Sequence, residues 1–421
     1  MLIALSLVIL GIFSIGRYQF LRDFSPTVKP TTIRMVVALV VTFGWPLNQV
    51  DINDAFLNGN LTEDIYMLQP PGFEKHCDGQ QLVCKLRKAL YSFRQASRDW
   101  FHKLKEYLVA AKFVVSKFDA SLFFQQFDTS LIYMLVYVDD IIINGNNTRL
   151  VYEFVCLLNS QFALKDLGKL SYFLRIKVTY TPKGLFLNQR KYILDLLQRS
   201  MMDKSKGSPT PMVTTCSLST HVGIPMEDES IYRSIVGVLQ YIVITLPAIT
   251  FAVNKACQFM HKPLDFHFKA VKRILRYLQN IMDQGLFFTP TSKLGLQAYL
   301  DANWGTDIDG SRLTIGFCWE FDFVELKEAL SEGEYRSLAH ATTELIWLKA
   351  LLKELRVDVT NNSGAITAAA NLVLHSKFKH VELDLFCIRE KIVAGTLQIG
   401  HVPSQDQVVD ILTKPLFTGF F

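Results

Sequence analysis

Asp51, Asp139 and Asp140 are the residues of this 421-residue chain best suited to chemistry. Asp51 lies near the end of the stretch Leu47 to Ile52. Asp139 and Asp140 stand between two apolar runs, Leu131 to Tyr137 and Ile141 to Ile143. Mg²⁺ prefers a few carboxylate oxygens, completed by water and phosphates. A pair of such ions can activate a hydroxyl and hold a triphosphate during nucleotidyl transfer. The carboxylates that hold them would repel one another without a cation. An Asp-Asp pair alone is common in surface turns, so its meaning depends on the elements that carry it.

Those elements are legible. Leu47 to Ile52 reads as a strand that carries Asp51. Two short apolar runs around a tight polar break read as a buried hairpin with Asp139 and Asp140 at its tip. If the two are neighbours in one sheet, three carboxylates meet at its edge. Thr31 to Val41 reads as an apolar helix that Thr31 or Thr32 can cap. Residues 58–83 are turn-rich, and Leu86 to Ala111 reads as one long helical stretch with interleaved basic and aromatic residues. Val151 to Phe162 and Lys191 to Met202 read as helices, with a second hairpin over 172–187.

Residues 203–230 are polar, with Ser, Pro and Gly, and read as a linker. Helices follow over 232–260 and 267–280. In the latter, Phe268, Val271, Ile274, Leu275 and Leu278 share a face. Lys269, Lys272, Arg273 and Arg276 lie mostly off it and suit either solvent or phosphate. From about Leu294 the pattern changes to strands over 296–300 and 313–319, a strong helix over 334–355, and further short elements to Leu412.

Half of the residues are apolar, which excludes a disordered chain. The formal net charge of +5 fits a nucleic-acid partner without demanding one. Seven scattered cysteines with no CxxC pair argue against a zinc ribbon or a disulfide scaffold. Met1 to Ile15 is almost wholly apolar, but it lacks a basic flank and a cleavage site. As a helix it would reach ~22 Å, short of the ~30 Å hydrocarbon core, so a membrane is not expected as a partner.

Several stretches carry a family resemblance. Val50-Asp51-Ile52-Asn53-Asp54-Ala55-Phe56-Leu57-Asn58-Gly59 resembles the first catalytic motif of copia-type retrotransposon reverse transcriptases, and Tyr137-Val138-Asp139-Asp140 resembles their YVDD box. The similarity continues through Gln69-Pro70-Pro71-Gly72-Phe73, Arg94-Gln95-Ala96 and Lys165-Asp166-Leu167-Gly168. By that resemblance Asp51, Asp139 and Asp140 bind two Mg²⁺ ions, with Asp140 the less direct ligand. Asp54, Ala55 and Phe56 border the incoming deoxynucleoside triphosphate, and Phe56 is the gate against a ribose 2′-hydroxyl. Arg94 and Gln95 flank template and nucleotide. The implied partners are an RNA template, a DNA primer and the RNA–DNA hybrid, in cytoplasm or nucleus within a virus-like particle. The family's glycines fall on Ser92 and Arg175 here, and its proline on Ser97. Its Lys- and Arg-rich fingers segment has no counterpart before Arg17.

The last third resembles the family's ribonuclease H. Asp301 falls in its first acidic motif, Glu334 in its second and Asp410 in its last, with His401 beside it. The third acidic position matches Asn361, which is neutral, and the segment before Glu334 is short. Hybrid cleavage is therefore not expected. His375 and His380, flanking Lys377 and Lys379, fall in a basic loop rather than a metal site. The resemblance implies an α+β fold: a right-hand polymerase palm and thumb with truncated fingers, followed by an α/β ribonuclease H-like domain. The expected segments are an apolar leader over 1–22, fingers remnant and palm over 23–202, linker and connection helices over 203–292, and a degenerate nuclease domain over 293–416. The competing expectation is a non-catalytic remnant that still binds nucleic acid.

Overall fold

The computed structural model describes residues 26, 28–59, 66–69, 72–73, 75–77, 80–81, 83–85, 87–88, 96–213, 218–291, 296–303, 314–321, 332–357, 390–394 and 409–415; for 67, 76–77, 80–81, 296–303, 314–321 and 332–340 it describes the backbone alone. The readings of Ser92, Arg94, Gln95, Asn361, His375, Lys377, Lys379, His380, His401 and residues 1–22 lie outside these. The fold is α+β. The chain divides into two compact units between Leu170 and Ser171.

The first unit opens with helix α1 (Pro30–Phe43). Strand β1 (Leu47–Ile52) follows, then four short strands: β2 (Tyr66–Leu68), β3 (His76–Cys77), β4 (Gln80–Gln81) and β5 (Val83–Lys85). Helix α2 (Ala96–Ala110) leads to β6 (Val114–Val115), β7 (Leu122–Phe127), β8 (Ser130–Tyr137) and β9 (Asp140–Gly145). Helix α3 (Thr148–Gln161) and strand β10 (Leu164–Lys169) complete the unit. Six of these strands form one antiparallel sheet in the order β10-β1-β9-β8-β7-β6.

Period-2 alternation sorts the sheet residues onto two faces. Val50, Ile52, Ile141, Ile143, Met134 and Val136 belong to one core with Trp100, Phe101 and Leu104 of α2 and Val151, Phe154 and Leu158 of α3. This core holds β1 and the β8–β9 hairpin against two helices, so the residues at their ends have a rigid base. Asn147 caps α3, its side chain accepting from the Arg149 and Leu150 backbone N–H groups.

Neither Thr31 nor Thr32 caps α1. The N-cap is Lys29, with Pro30 in the first turn and no local side-chain cap. The capping acceptor comes from 87 residues further on: Asp119 accepts from the Lys29 backbone N–H at 3.3 Å and the Thr32 hydroxyl at 2.5 Å. The helical stretch read from Leu86 is helical only from Ala96 among the described residues; Arg87 and Lys88 lie in a bend and a bridge.

In the second unit, β11 (Tyr172–Phe173), β12 (Ile176–Thr181) and β13 (Gly184–Asn188) form a meander, and β14 (Leu286–Phe288) pairs with β13. Between them run α4 (Arg190–Arg199), α5 (Glu229–Ile242), α6 (Thr250–Cys257) and α7 (Asp265–Ile281) around one apolar core. Pro247 divides the helix read over 232–260, heading a short 3-10 turn between α5 and α6. The β13–β14 ladder stitches the meander to the later helices. This is why the unit boundary falls at 170 and not at the end of the 23–202 segment.

The linker over 203–230 is, in its first part, a strap on α7. Arg276 donates to the Lys206 carbonyl at 2.9 Å, Gln279 to that of Asp203 at 3.0 Å and Asn280 to that of Ser208 at 2.9 Å. Arg273 donates to the Thr210 hydroxyl at 2.8 Å. The basic side of α7 is thus partly committed within the protein. Lys269 pairs with Asp265, and the Lys272 ammonium sits 4.7 Å from the Phe268 ring centroid.

The chain then forms an antiparallel pair, β15 (Leu296–Asn303) and β16 (Thr314–Phe321), with helix α8 (Glu332–Glu354) packed on β15. The short α9 (Asp410–Thr413) contacts both strands and also α6 and the 3-10 turn at Pro247.

Candidate active site

The register of β1 decides where the carboxylates go. Asp51 lies directly opposite Asp140 of β9, and Gln49 opposite Ile142. Residues 49 and 51 share a face, so Gln49, Asp51 and Asp140 line the same side of the sheet end. The Gln49 side-chain amide donates to Asp140 Oδ1 at 3.2 Å. Asp139 is in the two-residue turn between β8 and β9, and its carbonyl accepts from the Ile52 N–H at 3.0 Å. The three aspartates are therefore adjacent through backbone pairing.

On its other side Asp51 faces Lys165 of β10. The register between β1 and β10 slips by one residue here, with Gln49 opposite Gly168 and Val50 opposite Asp166. Gly168 has φ 70°, which glycine adopts without strain, and its N–H donates to Asp166 Oδ1 at 2.8 Å. The Lys165-Asp166-Leu167-Gly168 stretch is thus a bulge that sets a lysine across from Asp51.

The electrostatics follow. Burial pushes the Asp51 carboxyl above the usual carboxylate range, the charge of Asp139 adds to this, and Lys165 opposes it. Asp140 is also raised, first by burial; the Gln49 hydrogen bond pulls it down, and the charges of Asp139 and Asp51 push it up. These are carboxylates whose ionised forms lack enough compensating positive charge. Their oxygens are hard donors of the kind Mg²⁺ takes. Among the described residues no group of three or more His, Cys, Asp or Glu side chains is placed to hold a metal ion.

A pH prediction arises directly. A raised carboxyl in the folded state means that the native protein binds protons more tightly than the unfolded chain. Stability then falls as pH rises from about 3.9 through the folded value, and this contribution is regained on acidification. In metal-free buffer, the stability of an Asp51→Asn, Asp140→Asn variant relative to the parent is expected to grow as pH rises through that window. Melting curves across pH check it; a constant difference contradicts it.

The hairpin turn is strained. Val138 has φ 55°, at a position where a two-residue turn normally takes Gly. A β-branched residue there is a genuine outlier. The Val138 carbonyl accepts from the Trp100 indole N–H at 2.7 Å.

After β1, Asp54 stands at φ 48° as the N-cap of a 3-10 turn, Ala55–Asn58. Ala55 and Phe56 are buried in the sheet–helix core. The ring read as a ribose gate is therefore packed inward here. Gly59 comes close to α2: an added Cβ would sit 3.3 Å from both Asp99 Cβ and the Trp100 nitrogen.

In the second unit Asp301 pairs with Gly316 across β15–β16, and Glu334 lies in the first turn of α8. Asp410 begins α9, where its carboxylate binds Lys414 Nζ at 2.7 Å. The acidic positions thus lie on β15 and on two helices that each contact it, α8 and α9.

The site contains residues that the sequence reading passed over. Gln49 was findable, since it lies two positions before Asp51 on a strand. Lys165 was noted only within its motif, because the bulge that aims it is a backbone feature. Trp100 gave no signal beyond that of a core aromatic.

Residues 5–214 match the family described as reverse transcriptase (RNA-dependent DNA polymerase). That match enters the 1–22 segment set apart as a leader by its composition. The chain is 42% identical over 415 residues to the retrovirus-related Pol polyprotein from transposon RE2 of Arabidopsis thaliana, and 43% identical over 415 residues to the one from transposon RE1. Each alignment covers 94% of this chain and 28% of the relative. It is also 39% identical over 230 residues to the uncharacterized mitochondrial protein AtMg00810 of the same plant, covering 52% of this chain and 95% of that one. Among the described residues no helix is long and apolar enough to cross a membrane.

Proposed function

This chain belongs to the reverse transcriptase (RNA-dependent DNA polymerase) family of copia-type Pol polyproteins, and from that premise we propose that it extends a DNA primer on an RNA template. The observation that carries the reading is the pairing of Asp51 with Asp140 at the sheet end that also bears Asp139. The six-stranded sheet with α2 and α3 serves as the palm, and the second unit supplies thumb, connection and a ribonuclease H-like part.

Asp51 and Asp139, with Asp140 less direct, would hold two Mg²⁺ ions, whose chemistry would be activation of the primer 3′-hydroxyl and charge neutralisation on the triphosphate. Gln49 orients the Asp140 carboxylate by its amide. Lys165 balances part of the negative charge on Asp51. The backbone of Asp54, Ala55 and Phe56 borders the incoming deoxynucleotide, and Arg94 and Gln95 flank it and the template. Asp301, Glu334 and Asp410 descend from a hybrid-cleaving site; with Asn361 in the third acidic position, that cleavage is lost.

The test is extension of a DNA primer annealed to RNA by the full chain. Nucleotide incorporation that needs Mg²⁺ and disappears in Asp139→Asn is the expected result. Equal background from the parent, from Asp139→Asn and from a chelated control overturns the reading and leaves the non-catalytic remnant.

A further inference from the structure

We propose that Trp100 is a positioning residue for the carboxylate turn, acting through the strained backbone of Val138. The inference rests on the polymerase reading for its consequence in catalysis, but not for its geometry. Trp100 is fully buried on α2, and its ring meets Phe162 edge-on at 5.2 Å between centroids. Packing therefore fixes the direction of the indole N–H. That N–H donates to the Val138 carbonyl, one peptide before Asp139.

Val138 at φ 55° would relax to negative φ if nothing opposed it. Such a relaxation rotates the adjoining peptides and swings Asp139. The Ile52 N–H, bound to the Asp139 carbonyl, ties the far side of the turn to β1. The turn is thus gripped from two sides, by the strand that carries Asp51 and by α2. A strained conformation persists only where its surroundings over-determine it, and these two hydrogen bonds add to the Tyr137–Asp140 pairing that closes the hairpin. Gly59 packs against the α2 backbone at Trp100 itself, which holds the helix in register with the turn.

The test uses the full chain with Trp100→Phe, which keeps a ring and deletes the donor, and with Val138→Gly, which removes the strain. Three readouts are needed: backbone ¹³C and ¹⁵N shifts of labelled Val138 and Asp139, Mn²⁺ binding by paramagnetic resonance, and single-nucleotide extension. Trp100→Phe is expected to shift the Val138 and Asp139 resonances. It should weaken Mn²⁺ binding by roughly 10- to 100-fold, as loss of an orienting partner does elsewhere. Extension should lose kcat while the KM for deoxynucleotide holds. Adding Val138→Gly to Trp100→Phe is expected to bring the Asp139 shifts to those of Val138→Gly alone and to restore most of the Mn²⁺ affinity. Unchanged Val138 and Asp139 shifts in Trp100→Phe overturn the proposal whatever the polymerase does, as does a loss that Val138→Gly cannot relieve. A parent that shows no extension, but in which Trp100→Phe moves the shifts, removes the polymerase reading alone.

Discussion

Asp51→Asn is expected to lower Mg²⁺-dependent primer extension on the order of a thousandfold, equivalent to about 4 kcal/mol of transition-state stabilisation, while leaving the metal-free protein at least as stable as its parent. The two halves of this result have one cause. Asp51 stands between Asp140 and Lys165 in the sheet, and the net effect of its surroundings disfavours its charge. The neutral amide keeps the shape, loses the metal-binding charge, and relieves Asp139 and Asp140 of a like-charged neighbour. Sites that hold cations are often bought with stability in this way. Primer extension and thermal melting of the same preparation decide the matter. A variant that keeps its rate, or that loses fold and rate together, contradicts the assignment.

Asp119→Ala is expected to destabilise the first unit by about 3 kcal/mol or more, since hydrogen bonds to a charged group contribute roughly 1.5–3 kcal/mol each and unsatisfied buried donors add a penalty. The Asp119 carboxylate is only 3% exposed. Beyond its role at α1, its Oδ1 accepts from the Ser121 N–H at 3.0 Å and the Ser121 hydroxyl at 2.6 Å. It also places a negative charge at the N-terminus of α1, which the helix dipole favours. Asp119→Asn is expected to recover part of the loss, because the amide oxygen still accepts. Urea unfolding followed by tryptophan fluorescence measures both. A loss below about 1 kcal/mol for alanine, the size of an ordinary single hydrogen bond, would show that the carboxylate does not hold α1 in place.

The elements nearest the chemistry were the most legible. Leu47 to Ile52 and the runs around Asp139-Asp140 announce themselves because they are short, apolar and bounded by turn residues, and they became β1, β8 and β9 within a residue or two. What the sequence could not express is tertiary. Nothing in Val138 signals a positive φ, since valine is a strand former by preference. That Asp51 faces Asp140 is a matter of register, which depends on which strands become neighbours. The 203–213 stretch reads as a linker because Ser, Pro and Gly resist regular structure, yet its carbonyls find donors on α7, some seventy residues ahead. Phe56, read as a gate from its motif, is buried among the sheet–helix core residues. The basic flank of α7 was read as open to solvent or phosphate, and its arginines instead bind the strap.

The pairing of β13 with β14 has a consequence for how the molecule assembles. Leu185 meets Phe288 only after about a hundred intervening residues have been gathered in. Closing a loop of that length costs roughly 4 kcal/mol of chain entropy beyond a constant, and contacts so distant form slowly. The β11–β13 meander can zip up early from local turns, whereas its outer strand must wait for the four-helix core to condense. Until then β13 presents an unsatisfied hydrogen-bonding rim to any passing chain, so the newly synthesised protein is most prone to aggregate in that interval.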